Sequence, residues 1–375
     1  MAAVRMLFTF TGGTGHFLPL APIAAAAAAR GHEVAVSGQD MMRATVEAAG
    51  FRAYDSGGRT LTDPDRRLPL VPADRAAEAA VVRNVFAGTI GQERAGRLGA
   101  VLADFRPDVV VRDEMDFGAA VAAERAGLPH AAVIVLAAGG MVPAADLAAP
   151  LARLRERHGL APDPAMPHRH LTLAPFPASF RDPADPLPPS TVHIRPAVLA
   201  PPAGPAGSGR PTVYFTLGTI FHQEAGDLFT RVLAGLRELD ADVVVTVGRE
   251  LDPAELGPQP ARVRVERFVP QHEVLPRCAL AVTHAGSGSV IGALAFGVPL
   301  PLLPMGADQP QNADRCAALG AGRVLDPPTA TPAEVRAAAA DVLGTASYRD
   351  AAARLRAETA ALPPAAHAVD LLEKI

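Results

Sequence analysis

The chain is 375 residues long, 49% hydrophobic and 20% charged, with 35 Lys plus Arg against 39 Asp plus Glu. That length is enough for two ordinary domains, each with its own core. The near-neutral balance, formally −4, gives no reason to expect a nucleic-acid or anionic-membrane partner. Cys278 and Cys316 sit in apolar surroundings and read as small core residues, not as a disulfide. No metal-ligand spacing occurs. Met1 to Phe10 runs straight into a strand pattern without a basic leader and cleavage site. Ala21–Ala29 is too short and too weakly hydrophobic to span a bilayer, and Arg30, His32 and Glu33 close it. The expectation is a cytoplasmic protein.

Strand and helix alternate from the start. Val4–Phe10 reads as a strand, Leu18–Arg30 as an Ala-rich helix stopped by Gly31, Glu33–Ser37 as a strand, Met41–Gly50 as a helix and Phe51–Tyr54 as a strand. A polar loop spans Asp55–Pro72, and Ala73–Phe105 is helical in period with a break. Asp108–Arg112, Phe117–Ala126 and His130–Leu136 continue as strand, helix, strand. A Pro- and Gly-rich stretch, 182–211, reads as a linker interrupted by a short strand near Thr191–Ile194.

Beyond the linker the strands are Thr212–Thr216, Asp242–Val247, Arg262–Arg267, Ala279–Thr283 and Leu300–Met305. Thr331-Pro332-Ala333-Glu334 is a capping box that starts a helix. Helical segments then run to Ile375, broken at Pro363-Pro364. Such alternation implies parallel βαβ units. The expectation is α/β: an N-terminal domain over 1–195, a linker over 196–211 and a second domain over 212–362, with a final helix over 363–375. Two doubly wound domains would face a cleft with the carboxyl ends of their strands.

Several residues at those strand ends can do chemistry. Thr11-Gly-Gly-Thr-Gly-His16 follows the first strand, and its glycines allow a tight turn that presents His16. The histidine is a general base near neutral pH or a hydrogen-bonded loop residue. A base of this kind works better with an orienting carboxylate. Asp113 ends a strand and fits, with Glu114 and Asp116 as rivals. In the second half, Gly218 and Thr219 end a strand and suit either a phosphate or an ordinary helix cap.

His284-Ala-Gly286-Ser287-Gly288-Ser289 joins a strand to a short apolar helix, which aims backbone N–H groups and a positive helix end at one point. That point suits a diphosphate, with His284 as an added donor. Asp308 and Gln309, at the next turn, can reach hydroxyls or cap a helix. Phe268 and Val269 offer an apolar surface for a nucleobase, with Gln271 as a hydrogen-bonding neighbour; core packing is the plainer role for Phe268. Phe17, Phe86, Met115, Phe117 and Met141 are apolar residues in or near the expected N-terminal loops and suit a hydrophobic acceptor.

From Arg267 to Gly322 the chain closely resembles the donor-sugar signature of family 1 glycosyltransferases, above all the bacterial enzymes that glycosylate natural products. Phe268-Val-Pro-Gln271 stands at the family's aromatic-x-Pro-Gln, His284-Ala-Gly-Ser-Gly-Ser at its phosphate turn, and Gly306-Ala-Asp-Gln309 at its sugar contact. Gly15-His16-Phe-Leu-Pro19 matches the Gly-His-x-x-Pro whose histidine is the base. The resemblance covers most of the chain. It implies the GT-B fold, two Rossmann-like domains facing a central cleft, with the last helix crossing back to the N-terminal domain.

It further implies an inverting transferase that needs no metal and no cofactor. The enzyme would take a dTDP- or UDP-sugar and a small hydrophobic natural-product acceptor, and a homodimer is compatible. His16 would be the base, Asp113 its partner, and Asp308 and Gln309 the sugar ligands. Two alternatives stand beside it. A nicotinamide-dependent oxidoreductase would use Gly13-x-Gly15, but Leu18 replaces the third glycine of its fingerprint. A non-catalytic helper of the same fold would have no need to keep His16, Asp113, His284 and Gln309 together.

Overall fold

A computed structural model describes residues 3–58, 69–196, 209–218, 225–248 and 251–375. The chain divides into two compact units: one takes the described residues among 1–61, 76–197 and 362–375, the other those among 62–75 and 198–361. One stretch of the expected N-terminal domain therefore needs correcting. Residues 69–75 group with the second unit, where Leu70 packs on its core and Arg75 pairs with Asp314 at 2.5 Å.

In the first unit the strands are β1 (Arg5–Thr9), β2 (Glu33–Gly38), β3 (Arg52–Asp55), β4 (Val109–Asp113), β5 (His130–Val133), β6 (Leu171–Ala174) and β7 (Val192–His193). They form a parallel sheet in the order β3-β2-β1-β4-β5-β6-β7. Its helices are α1 (Thr14–Phe17), α2 (Ala21–Ala29), α3 (Arg43–Ala48), α4 (Arg75–Val81, which begins at the unit boundary), α5 (Gly91–Phe105), α6 (Phe117–Arg125) and α7 (Ala144–Arg157).

The period of two decides what each sheet face buries. Met6 and Phe8 of β1, with Val109 and Val111 of β4, face a core completed by Ile23, Ala24 and Ala27 of α2. Leu7 and Val110 face the opposite side, against Leu98, Leu102 and Phe105 of α5 and Ala119 and Ala123 of α6. Both faces are covered, as a parallel sheet requires.

Two helices differ from expectation. The helix expected over Leu18–Arg30 forms as α2 but starts at Ala21, with Pro22 fixing its first turn, and a separate short helix, α1, ends at Phe17 ahead of it. The expected break within 73–105 is instead a wide π-helical segment, Val82–Ile90, joining α4 to α5. Helix α7 and strand β6 carry weak sequence signals, because Pro150 lies inside the helix and the strand has four residues.

In the second unit the strands are β8 (Thr212–Thr216), β9 (Asp242–Thr246), β10 (Val263–Glu266), β11 (Cys278–Thr283), β12 (Leu300–Leu302) and β13 (Gly322–Val324). They lie in the order β10-β9-β8-β11-β12-β13, again parallel. The run expected to extend to Met305 stops at Leu302, with Pro301 inside the strand and Pro304 just beyond it, neither able to donate to the ladder.

The remaining helices are α8 (Leu228–Leu236), α9 (Gln271–Val274), α10 (Ser287–Ala295), α11 (Gln309–Ala318), α12 (Pro332–Gly344), α13 (Ala346–Ala361) and α14 (Ala365–Leu372). The capping box at α12 is formed, with Thr331 Oγ1 accepting from Glu334 N and the Glu334 carboxylate accepting from Thr331 N. After the break at Pro363-Pro364, α14 packs in the first unit. Val369 and Leu372 enter its core, Arg30 pairs with Asp370 at 2.5 Å, and His32 lies 2.8 Å from Glu373. Cys316 is buried and Cys278 partly so, both free, and burial pushes the Cys278 thiol up to about 12. Among the described residues no helix is long and apolar enough to cross a membrane.

Candidate active site

In an open parallel sheet, ligands bind beyond the carboxyl ends of the strands where the strand order reverses. In the first unit that point lies between β1 and β4. His16 follows β1, Asp113 ends β4, and the two meet there.

His16 Nδ1 lies 3.3 Å from Asp113 Oδ2; the histidine keeps a fifth of its side chain exposed and the carboxylate none. Asp113 is held from several directions. Its Oδ2 accepts from Thr11 N at 2.8 Å, and its Oδ1 from Met115 N at 2.6 Å and Asp116 N at 2.9 Å. The turn before His16 needs glycine at position 12: φ there is +123°, and an added Cβ would come within 2.6 Å of the imidazole. Phe86, inside the π-helical segment, stacks on His16 with ring centroids 6.0 Å apart and planes 19° from parallel. Irregular helical turns of this kind recur at functional sites.

Both rival carboxylates are committed elsewhere. Asp116 receives two bonds from the buried Arg94 guanidinium, at 2.9 and 2.5 Å, and caps α6 through Ala119 N. Glu114 accepts from Val135 N and Leu136 N, tying the end of β4 to the loop after β5. Burial pushes the Glu114 carboxyl up to about 7, against the pull of Arg181 and those two N–H donors. Beneath them Arg112 donates to the carbonyls of Asp113, Glu114 and Pro167, and burial lowers its pKa. Arg94 and Arg112 were not foreseen. Arg94 stands four residues before Leu98 on the buried face of α5, a misplaced charge that signals a buried partner.

The five apolar acceptor candidates are all buried. Phe17 packs on Phe10 in the core, ring centroids 5.4 Å apart, and Phe117 opens α6, where the expected helix begins, with its side chain buried. Met115 and Met141 are buried beside the chain turns that follow β4 and β5, and Phe86 lies against His16. Among the described residues after β1 and β2, Leu18, two residues from His16, is 57% exposed and Met41 is 51% exposed.

In the second unit the order reverses between β8 and β11. Gly218 follows β8 and His284 follows β11; Thr219 lies outside the described residues. The largely buried His284 ring fits between two glycines. A Cβ on Gly218, where φ is +76°, or on Gly286 would come within 2.6 Å of it. Helix α10 starts at Ser287 with Gly286 as N-cap, so no side-chain cap covers its first turn. Gln271 Nε2 donates to Ser289 Oγ at 3.2 Å, which sets the 268–271 segment beside that helix start. Phe268 is 52% exposed, so it is not a core residue, and Val269 is partly buried.

Asp308 and Gln309 sit at the start of α11 and already have protein partners. Asp308 Oδ2 accepts from Ser287 Oγ at 2.6 Å and from Asn312 Nδ2 at 2.7 Å. Gln309 is 1% exposed, and its Oε1 accepts from Met305 N at 2.7 Å and Gly306 N at 3.2 Å. Among the described residues no group of three or more His, Cys, Asp or Glu gathers as metal ligands would.

Each unit thus sets a histidine, bounded by glycine, at the switch point of a doubly wound sheet. Known proteins share the fold. Residues 230–375 match the family described as "Erythromycin biosynthesis protein CIII-like, C-terminal domain". The 4'-demethylrebeccamycin synthase of Lentzea aerocolonigenes is 32% identical, over 98% of this chain and 99% of its own length. The calicheamicin glycosyltransferase CalG4 superposes with a TM-score of 0.82 at 25% identity, covering 100% of this chain and 98% of its own. The spinosyn rhamnosyltransferase SpnG, solved with thymidine diphosphate, does so with a TM-score of 0.83 at 25% identity, covering 99% and 100%. Two parallel sheets with this strand order and full-length likeness to such enzymes lead to one conclusion: the chain belongs to the GT-B glycosyltransferases of natural-product biosynthesis.

Proposed function

We propose that this glycosyltransferase moves a deoxysugar from a dTDP- or UDP-linked donor to a hydroxyl of a small hydrophobic natural product, with inversion. The observation that carries the reading is the His16–Asp113 pair at the first switch point. With Nδ1 turned to Asp113, the other ring nitrogen is the one to take the acceptor proton. The acceptor oxygen bonds to the anomeric carbon as the bond from that carbon to the diphosphate breaks. The electron pair leaves with the diphosphate, whose charge the His284–Ser289 turn stabilises. Asp113 steadies the imidazolium that forms.

The donor assignment is supported by the uncapped start of α10, by His284, and by the thymidine diphosphate held by SpnG. The exposed Phe268 ring suits a stacked base, with Val269 and Gln271 beside it. Because Gln309 Oε1 is occupied, its amide would act toward a sugar as a donor. Leu18, Met41 and Phe86 offer the acceptor its apolar contacts. The test is mass spectrometry after incubation with panels of nucleotide sugars and aglycones: glycoside formed from a dTDP- or UDP-sugar supports the reading, and no transfer from either class contradicts it.

A further inference from the structure

We infer that Asn312 is a positioning residue for the diphosphate turn: it holds the backbone of 285–287 in a strained shape through Ala285 and Ser287 without itself touching the donor. The inference rests on the donor reading above. Asn312 is fully buried on α11 and faces three acceptors, two in the 285–287 turn and one at the start of its own helix. Its Nδ2 lies 3.0 Å from Ala285 O, 3.1 Å from Ser287 Oγ and 2.7 Å from Asp308 Oδ2.

The turn it grips has a conformation that alanine resists. Ala285 has φ +68°, and Ala307, in the turn before α11, has φ +51°. A left-handed alanine persists only where its surroundings over-determine it. Ala285 N donates to Thr283 Oγ1 at 3.1 Å, and Ala285 O accepts from Asn312, so both of its backbone polar groups are pinned. That geometry sets the direction of the N–H groups at the start of α10.

Ser287 belongs to the same clamp. A hydroxyl has one proton, and Ser287 directs it to Asp308 Oδ2 at 2.6 Å while facing the Asn312 amide. A phosphate oxygen can only accept, so the Ser287 hydroxyl is spent on the turn and not on the diphosphate. Ser289 differs, because its oxygen accepts from Gln271 and, among the described residues, its proton has no protein acceptor.

The test is calorimetry with dTDP, UDP and thymidine on the wild type, Asn312→Ala, Ser287→Ala and the double variant, with melting temperatures alongside. Expected are a diphosphate affinity lower by about tenfold or more in each single variant, thymidine binding within about twofold of wild type, and a double variant little worse than either single one. A parallel loss of thymidine and diphosphate binding, independent additive losses, or unchanged diphosphate affinity overturns the inference. If Asn312→Ala does not fold, Ser287→Ala carries the same comparison. A wild type that binds neither dTDP nor UDP overturns the donor reading itself.

Discussion

Asp113 Oδ2 stands 3.3 Å from His16 Nδ1 and also accepts from the backbone of Thr11, while Oδ1 takes the N–H groups of Met115 and Asp116. Every contact of this carboxylate is with a donor. An amide cannot replace it, because either orientation turns an NH2 group against a backbone N–H. Asp113→Asn is therefore expected to lose about 1–3 kcal/mol of stability for the unsatisfied buried donor, together with turnover. Thermal melts and initial rates check both; a variant as stable as wild type contradicts the account of the site.

The two glycines that bound the histidines should separate by function. Gly12→Ala crowds His16 and Gly218→Ala crowds His284, each at 2.6 Å and each at positive φ. Gly12→Ala should lower turnover by about tenfold or more while dTDP affinity holds, and Gly218→Ala should lower dTDP affinity by a similar factor. Calorimetry with steady-state rates distinguishes them, and equal effects on binding would refute the division.

Phe268 is half exposed, so its truncation costs the fold little. If the ring stacks on the base, Phe268→Ala should weaken dTDP by about 1–3 kcal/mol with the melting temperature unchanged. A lowered melting temperature with normal affinity would make it a packing residue.

Burial holds the Glu114 carboxyl near 7, above its ordinary 4.5. A raised carboxyl keeps its proton in the folded state after the unfolded chain has lost it. Stability from this group is full below about pH 4.5 and is lost as pH rises to about 7. Glu114→Gln keeps an acceptor oxygen for Val135 N and Leu136 N but no longer titrates. It should gain on wild type across that window, by at most about 3 kcal/mol. Denaturation midpoints from pH 4 to 8 test this; parallel curves would show that Glu114 does not carry the dependence.

The parallel sheets, the capping box at Thr331 and the two switch-point histidines were legible in sequence because period-two apolar runs and glycine turns are local signals. What was hidden is set by tertiary packing. Nothing local to Asp113, Glu114 and Asp116 says which carboxylate faces His16; the buried Arg94 claims Asp116, and the N–H groups of Val135 and Leu136 claim Glu114. The π-helical turn that brings Phe86 to His16 has the same apolar pattern as a plain helix. Residues 69–75 lie in the chain's first half but pack with the second unit, an exchange that periodicity does not register. Phe17 and Phe117 illustrate the usual fate of an aromatic beside a site, which is to support it from the core.

The central claim is that His16 does chemistry and His284 holds the diphosphate, and one paired measurement tests it most directly. Calorimetry with dTDP or UDP, run beside steady-state rates, should show His16→Ala keeping donor affinity while turnover falls by about two to four orders of magnitude. The same measurement should show His284→Ala losing about 1.5–3 kcal/mol of diphosphate affinity. Loss of nucleotide binding in His16→Ala with normal binding in His284→Ala would contradict the account.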